Sequence, residues 1–516
     1  MTSNGTTLYD EVSYPGHPYH PTHPDHLATI GTLYGMTPAP PARCRVLELG
    51  CGIGGNLLPM AARYPDSEFV GVDLSQREIE KGQSHIAAYG LRNATLHHGD
   101  IAEVTDAWGS FDYIVSHGVY SWVPPHVREA MLAIIGRSLN PQGISYVSYN
   151  AHPGSHLRDL CRDIMNFHVH DIKDPLQRIG QARAILKFVV EGSDSNSVYG
   201  GLLRDQMSRV SGMGDSVLFH DDLNEGSTAF LLHTFVAAAR SHGLQYLSDS
   251  TLSRRDLSTF DDPVKEVLQQ FPDKEFLARD QIQDFILGHG FRRTLLCRGD
   301  VALQRSLPPE MLAGFHLECS ARPDDPAMDP NAPEEANFKL QGGEAMATNH
   351  RLTKAALREL GRRWPCAVAF DDLIARALAE LDPAVRAEGG GEAANIKLTR
   401  NALFTAALRG HITLHVEPSA FVTTVSERPE ASFVGREQAR LRLVVTNQRH
   451  VGVHLGDEHV RQLLMLLDGT RNLDQLVADL KGAMANLPAV PDADPIDRAS
   501  VAKALTLLVE LSMLVR

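Results

Sequence analysis

The amino-acid sequence predicts an α/β fold with a doubly wound, parallel sheet, a helical insertion and an additional α+β domain towards the C-terminus. Three patterns support this prediction. Between residues 44 and 150, apolar strand-like runs alternate with amphipathic helical runs, which is typical of consecutive βαβ units. A mostly helical stretch follows at residues 155–240. After a segment rich in Pro, Asp and Ala at residues 321–337, helices and short strands occur again.

The first part of the chain contains five predicted strands, each an apolar run bounded by glycines or polar residues. They are RVLELG (45–50), EFVGVDL (68–74), ATLHHGD (94–100), FDYIVSHGV (111–119) and GISYVSYN (143–150). Amphipathic helices are predicted between them, at residues 56–65, 75–90 and 125–140. Two later runs are also strand-like, and we expect them to complete the same sheet: GLQYLSDS (243–250) and FRRTLLCRG (291–299).

Shifts in composition divide the chain into five predicted segments. We expect an N-terminal leader, a domain with the sheet and its insertion, a linker, a helical middle region and a C-terminal domain, at residues 1–39, 40–305, 306–349, 350–410 and 411–516. In the last segment, LLMLLDGTRNLDQLV (463–477) resembles the helical part of a winged-helix domain. Such a domain can bind a peptide, but a homodimer or domain-packing surface explains the pattern equally well.

Charge and cysteine content argue against several classes of protein. The 516-residue chain has a formal net charge of −14 and no dense run of Lys or Arg, which disfavours a nucleic-acid partner. Its six cysteines form no C-x-x-C pair, which favours reduced thiols in the cytoplasm. The N-terminus lacks the pattern of a signal peptide, and no apolar run approaches about 18 residues, so we expect no membrane insertion.

A glycine-rich turn between the first strand and the first helix carries the main functional signal. The stretch ELGCGIGGN runs from Glu48 to Asn56. Glycines let the backbone turn tightly and approach a ligand, and the helix that follows offers unpaired N–H groups. The pattern alone does not distinguish a dinucleotide-binding loop from a tight strand-to-helix turn.

Three acidic residues near the carboxyl ends of the strands narrow this choice. Glu48, two residues before the first glycine, suits the amine of an amino-acid cofactor better than a pyrophosphate. Asp73 ends the second strand, where a carboxylate can accept hydrogen bonds from both hydroxyls of a ribose. Asp100 follows the third strand, where it can accept a hydrogen bond from the amino group of adenine. The set favours an adenosyl cofactor with an amino-acid end.

This ordered set of motifs resembles the class I S-adenosylmethionine (SAM) methyltransferases, which have a Rossmann-like fold, over about residues 40–150. The resemblance implies that SAM is the cofactor. The residues that it assigns to cofactor binding are Glu48, Gly50, Cys51, Gly52, Gly54, Asn56, Asp73, Leu74, Asp100, Ile101 and Ser116.

A narrower resemblance extends to about residue 300. The leader YDEVSYPGHPYHPTHPDHLATIGTLYGM, the loop SHGVYSWVP and the stretches SYNAHPG and LFHDDLNE are similar to a subgroup of these enzymes that carries a methyltransferase regulatory domain. The subgroup includes bacterial protein-lysine methyltransferases. The resemblance therefore implies a protein or peptide substrate, with a lysine nitrogen as the acceptor.

Candidate residues for the acceptor side follow the fourth and fifth strands, because ligands bind beyond the carboxyl ends of the strands in an open parallel sheet. Tyr120 and Trp122 suit an aromatic channel for a cation, although the two rings could instead pack a helix start. His117 could contact the cofactor, act as a base or be an ordinary loop histidine. Asn150 and His152 are candidates for substrate binding.

The leader contains HPYHPTHPDH (17–26), in which four histidines alternate with prolines. A polyproline II helix would space successive histidines about 9 Å apart, which is too far for them to surround a zinc ion. Thr22 is predicted to cap a helix. By resemblance to the subgroup, the leader can fold over the active site as a lid, with Tyr14, Tyr19 and His23 as pocket residues.

A second stretch with metal-ligand residue types is FHDDLNE (219–225), which combines one histidine with three carboxylates. Because Asp221 and Asp222 are adjacent, their side chains tend to diverge, and we interpret the stretch as a solvated loop or a helix cap. No metal site is predicted.

The leading hypothesis is SAM-dependent transfer of a methyl group to a protein or peptide, at a lysine nitrogen. One alternative is a small-molecule N- or O-methyltransferase of bacterial secondary metabolism. Another is a non-catalytic SAM-binding regulatory or scaffold protein. The intact glycine loop, together with Asp73 and Asp100, argues against a decayed cofactor site.

Overall fold

The computed structural model spans the chain, and the structure describes residues 16–224, 226–272, 275–485, 487 and 495–516. The chain divides into two compact units. Gly16 belongs to the first unit together with residues 36–250 and 260–303. The second unit consists of residues 17–35, 251–259 and 304–516, and the leader helix α1 (Pro24–Leu33) therefore lies in it.

A seven-stranded sheet forms the centre of the first unit. Its strands are β1 (Arg45–Leu49), β2 (Glu68–Asp73), β3 (Ala94–His98), β4 (Phe111–Ser116), β5 (Leu139–Asn150), β6 (Leu244–Asp249) and β7 (Phe291–Arg298). They lie in the order β3-β2-β1-β4-β5-β7-β6, and only β7 is antiparallel to its neighbours. This order confirms the doubly wound, Rossmann-like prediction and the expectation that the two later runs complete the sheet.

The helices of the first unit follow the strands in the predicted alternation. They are α2 (Leu57–Arg63), α3 (Gln76–Tyr89), α4 (Pro125–Ser138), α5 (Ser155–Val169), α6 (Pro175–Gly192), α7 (Val198–Ser211), α8 (Leu232–Arg240), α9 (Asp262–Gln269) and α10 (Phe276–Leu287). The Ser75 side chain caps α3 by accepting a hydrogen bond from the Glu78 N–H, and Gly90 ends this helix at a φ of 65°. Residues of α4 and α8 pack with the sheet in one buried apolar core.

The helical insertion has an apolar core of its own. Helices α5, α6 and α7 contribute to it, together with a π-helix at Leu218–Asp222. Its buried members include Cys161, Met165, Ile179, Leu186, Leu203, Val210, Leu218 and Leu223. Because α8 packs on the sheet instead, this core ends at Leu223 although the predicted excursion extends to residue 240.

The second unit combines short strands with helices. Its strands are β8 (His316–Glu318), β9 (Arg322–Pro323), β10 (Ala336–Lys339), β11 (Ala345–Thr348), β12 (Val368–Ala369), β13 (Thr413–His415), β14 (Val444–Thr446) and β15 (Gly452–His454). Besides α1, its helices are α11 (Arg351–Arg363), α12 (Phe370–Ala379), α13 (Pro383–Ala387), α14 (Glu392–Leu408), α15 (Phe433–Leu441), α16 (Glu458–Leu466), α17 (Leu473–Ala485) and α18 (Arg498–Glu510). Helices α15 to α18 enclose an apolar core.

Two local predictions in this unit differ from the structure. The segment expected to be a linker contains four strands, β8 to β11. Strand β10 pairs with both β9 and β11, and its Phe338 side chain is completely buried. The N-cap of α1 is His23 rather than Thr22. The His23 Nδ1 accepts a hydrogen bond from the Asp25 N–H at 3.3 Å, whereas the Thr22 hydroxyl donates to the Tyr19 carbonyl at 2.8 Å.

A buried charge cluster joins α1 to β8 and β13. The Nδ1 of His415 lies 2.7 Å from a carboxylate oxygen of Asp25, and its Nε2 lies 3.3 Å from Glu318. The other Asp25 oxygen accepts backbone N–H groups of Val416 and Glu417 at 3.0 and 3.1 Å. Burial lowers the pKa of His415, but the two carboxylates outweigh burial and raise this pKa to about 9. His415 is therefore an imidazolium at neutral pH.

We expect this imidazolium to make the stability of the protein depend on alkaline pH. Because the folded-state pKa exceeds the ordinary value of 6.5, the stabilisation is complete below pH 6.5 and is lost as the pH rises through about 9. A His415→Gln variant should lack this decline, which is on the order of 3 kcal/mol between pH 6 and 9. Urea unfolding at both pH values measures it, and parallel losses in the two proteins would contradict the assignment.

Candidate active site

The glycine loop lies where the carboxyl ends of β1 and β4 meet, which is the position at which strand order reverses. Backbone hydrogen bonds fix its start to the end of β2. The N–H groups of Gly50 and Cys51 both donate to the Val72 carbonyl, at 2.9 and 3.1 Å. The start of the loop is therefore held against the end of β2.

Two positions of this loop favour glycine for different structural reasons. Gly50 has a φ of 81°, and a Cβ there would lie 2.4 Å from the Val119 side chain, so the acceptor-side loop packs directly on it. Gly52 has a φ of 52°, and a Cβ there would meet no described atom within 4 Å. Gly52 thus borders open space, as a residue beside a ligand does.

Glu48 is a buried carboxyl group that pairs with no cation among the described residues. Its Oε1 accepts a hydrogen bond from the Asn56 side chain at 2.8 Å, whereas its buried Oε2 has no hydrogen-bond partner in the described part of the chain. Burial raises the pKa of Glu48 to about 8, and the nearby charge of Asp73 adds to the effect. An unpaired buried carboxyl group is costly, so this position suits a ligand that brings a positive charge.

Asp73 is positioned by the loop that it faces. Its two carboxylate oxygens accept hydrogen bonds from the N–H groups of Gly52 and Ser75, at 2.8 and 2.9 Å. Each carboxylate oxygen can accept more than one hydrogen bond. The side chain is thereby held at the end of β2, beside Leu74, which is 40% exposed.

The third predicted cofactor position follows β3. Asp100 caps a short 3₁₀ helix through a 2.9 Å hydrogen bond from the Ala102 N–H, and Ile101 is buried. On β4, the buried Ser116 hydroxyl donates to the Leu49 carbonyl at 3.3 Å. Cys51 is also buried, and burial raises the pKa of its thiol well above the ordinary range, so it is a packing residue rather than a nucleophile.

His117 begins the loop after β4 and is tied to β5. Its Nδ1 lies 2.9 Å from the Tyr146 hydroxyl and 3.4 Å from the Ser148 hydroxyl. Burial, followed by the charge of Arg293, lowers the pKa of His117 to about 4. The imidazole is therefore neutral at physiological pH.

The two aromatic candidates in this loop have different environments. Tyr120 is buried, with its ring among Tyr149, Phe230 and Phe235, and burial raises its pKa to about 12. The Trp122 ring is partly buried and faces two guanidinium groups at 5.4 and 5.8 Å from its centroid. Tyr120 thus packs in the apolar core, which agrees with the packing role rather than with an aromatic channel. Trp122 already contacts two arginine side chains.

Asn150 and His152 lie at and just beyond the end of β5. Asn150 is buried, and its side chain bonds to the Ser227 hydroxyl at 3.0 Å and to Arg158 at 3.3 Å. The His152 ring stacks on His156 at 4.0 Å, and its buried Nδ1 has no hydrogen-bond partner within the described ranges.

The leader candidates are divided between the described and undescribed parts of the chain. Tyr14 lies outside the described residues. Tyr19 and His23 belong to the second unit, where the His23 ring lies 5.2 Å from that of His450. Gly16 contacts the glycine loop, since a Cβ on Gly55 would lie 2.6 Å from its backbone. A lid formed by the leader stays a prediction.

The structure also reveals a polar cluster that the sequence analysis missed. Asp222 is completely buried in the π-helix and pairs with Arg158 at 2.9 Å and with Arg209 at 3.2 Å. The interpretation of FHDDLNE as a solvated loop or helix cap is therefore wrong for this residue. The arginines lie far from it in the chain, so no local pattern indicates the pairing. Among the described residues, no group of three or more His, Cys, Asp or Glu side chains is arranged to hold a metal ion.

Three family models match consecutive parts of the chain. A methyltransferase domain matches residues 46–143, a predicted methyltransferase regulatory domain matches residues 214–298, and a PKMT C-terminal winged-helix domain matches residues 427–512. The last match confirms the winged-helix prediction for this part of the chain.

Similar proteins extend over nearly the whole chain. An uncharacterised protein of Rickettsia prowazekii (strain Madrid E), RP789, is 32% identical over 92% of this chain and 85% of its own length. The structure of PKMT2 from Rickettsia typhi, 28% identical, superposes with a TM-score of 0.88 over 98% of this chain and all of that chain; its complex with AdoHcy (S-adenosylhomocysteine) gives 0.87. Trans-aconitate 2-methyltransferase of Deinococcus radiodurans is 34% identical but covers only 21% of this chain.

The fold and its glycine loop define the class of protein, a SAM-dependent methyltransferase. Within this class, the chain belongs to the family that combines the methyltransferase domain with a methyltransferase regulatory domain and a PKMT-type winged-helix domain. Its cofactor is SAM, which supplies an electrophilic methyl group on a sulfonium when bound.

The residues of the site fit this cofactor. Oε2 of Glu48, which has no partner among the residues that the structure describes, suits the cofactor's ammonium group, and the space at Gly52 leaves room beside it. We infer that Asp73 would hold the ribose hydroxyls and that Asp100 and Ile101 would border the adenine. Among the described residues, no helix is both long enough and apolar enough to span a membrane.

We expect Gly52→Arg to abolish SAM binding, because the new side chain would enter the space beside the loop. Gly90→Arg is a matched control, since Gly90 also has a positive φ (65°) and open space around it but ends α3. Both substitutions carry a similar backbone cost, about 1 kcal/mol. Calorimetric titration with SAM measures the effect, and wild-type affinity in Gly52→Arg would refute this location of the cofactor.

Proposed function

We propose that the protein transfers the methyl group of SAM to a lysine nitrogen of a protein or peptide. The observation that carries this proposal is the similarity to PKMT2 over 98% of the chain, which includes the PKMT-type winged-helix region. PKMT abbreviates protein-lysine methyltransferase. The similarity to trans-aconitate 2-methyltransferase covers about a fifth of the chain and therefore supports the methyltransferase class but not a small-molecule substrate.

The acceptor would approach from the side formed by the loop after β4 and the end of β5. Val119 packs against Gly50, so this loop lies directly beside the glycine loop. Ser121 links the loop after β4 to the end of β5, because its hydroxyl accepts a hydrogen bond from the Asn150 N–H at 2.8 Å. Methyl transfer is an in-line displacement, and its rate depends strongly on the alignment of nucleophile, methyl group and sulfur. The contacts that hold this loop against the glycine loop and β5 serve this alignment.

A lysine must lose a proton before it can attack a methyl group. With a pKa near 4, His117 is a poor acceptor for a proton from an ammonium group whose pKa is about 10. Such a transfer would be uphill by on the order of 8 kcal/mol. We therefore propose that His117 contacts a bound ligand rather than acting as the base. The lysine would lose its proton to solvent.

Charge supports the choice of substrate and location. A net charge of −14 favours a substrate with basic character over nucleic acid. All six cysteines are free, which suits the reducing cytoplasm. A homodimer through the winged-helix region stays a proposal.

Incubation with methyl-labelled SAM and a bacterial lysate tests the proposed reaction. We expect label in acid-precipitated protein, and hydrolysis of that protein should release labelled methyl-lysine. The Gly52→Arg variant should leave the lysate unlabelled, whereas Gly90→Arg should label it as the wild type does. Label confined to small molecules, or to amino acids other than lysine, would contradict the proposal.

A further inference from the structure

The helical insertion contacts the proposed acceptor side through Arg158 and Arg162, which both face the Trp122 ring, and Arg158 also bonds to Asn150. Arg158 lies on α5, in the first turn of the insertion. Its Nε donates to a carboxylate oxygen of Asp222 at 2.9 Å, and its Nη2 donates to the Asp221 carbonyl at 2.5 Å. These two bonds attach Arg158 to the π-helix at the end of the insertion.

The same guanidinium also contacts the two segments that border the acceptor. Its Nη1 donates to Oδ1 of Asn150 at 3.3 Å, and its Cζ lies 5.8 Å from the centroid of the Trp122 ring. The Trp122 N–H donates to the Val119 carbonyl at 2.8 Å and so closes a turn over residues 119–122. Val119 in turn packs on Gly50. A continuous series of contacts therefore runs from the insertion to the cofactor loop.

The chemistry of arginine is suited to this position. A planar guanidinium carries five N–H donors and can stack on an aromatic ring, so it can serve several partners at fixed angles. A lysine has one compact ammonium group and cannot reproduce this arrangement. Asp222 is completely buried, which strengthens its attraction for Arg158. The position of Arg158 is thus determined from the insertion side.

We propose that Arg158 is a positioning residue for methyl transfer: it fixes the Val119–Trp122 turn and Asn150 to the helical insertion, so that the insertion determines the geometry of the acceptor side. This role rests on the proposed function, because it assigns the acceptor to that side. It places no part of SAM in contact with Arg158.

Arg158→Lys is the informative variant, and the structure indicates why it should fold. Asp222 keeps both hydrogen bonds from Arg209, each at 3.2 Å, and Arg162 keeps its contact with Trp122. Arg183→Lys is a matched control. Arg183 is similarly exposed (26% against 20%) and donates to Val210, Met213 and Asp215, all of which lie within the insertion.

The test compares the two full-length variants with the wild type. Hydrogen exchange of the backbone amides at residues 119–122 and 150, measured with saturating SAM, should be at least about tenfold faster in Arg158→Lys. Transfer of labelled methyl groups to lysate protein should fall at least about tenfold, while the SAM dissociation constant stays within about twofold. Arg183→Lys should match the wild type in all three measurements. A loss of methyl transfer without a change in the SAM dissociation constant is a result that a merely structural role would not give.

Three results would overturn the role of Arg158. These are unchanged exchange at the turn, unchanged transfer despite faster exchange, and equal effects in Arg183→Lys. A failure of the proposed function is distinguishable, because the wild type would then label no protein lysine, while hydrogen exchange would still show whether Arg158 holds the turn.

Discussion

The buried carboxyl group of Glu48 is the constraint on which the cofactor site depends. It lies next to the end of β1, whose last four residues are buried, it accepts a hydrogen bond from the Asn56 side chain, and no cation of the described residues pairs with it. The chain bears the cost of burying this group, which a ligand with a positive amine would offset. The surrounding loop is built to admit such a ligand: its N–H groups are fixed to β2 and to Asp73, and Gly52 adds no side chain.

The proposed acceptor side depends on contacts between distant parts of the chain. Side chains connect the loop after β4 with β5 and with the helical insertion. Ser121 bonds to Asn150, Ser148 bonds to the Gly118 N–H, and Arg158 joins both segments to the buried Asp222. The regulatory domain matched at residues 214–298 supplies that aspartate, so through Arg158 it is connected to the end of β5.

Local sequence patterns were sufficient for the sheet and for the glycine loop, because apolar periodicity, helix caps and glycine turns depend on neighbouring residues. The end of α3 at Gly90 is such a case. Interactions between distant residues could not be predicted in this way. The imidazole of His415 pairs with Asp25 across almost 400 positions, and Asp222 finds its arginines on two other helices. Short strands such as β9 and β10 were missed because a few residues carry too little periodicity to indicate a strand.

The most direct test of the account is the number of protons released when SAM binds. With a pKa near 8, Glu48 is mostly protonated at pH 7 in the free protein, and an ion pair with the cofactor's ammonium group requires its ionised form. Calorimetry at pH 7 in buffers of different ionisation enthalpy should therefore show release of nearly one more proton, about 0.9, by the wild type than by Glu48→Gln. Equal release by the two proteins would contradict the account.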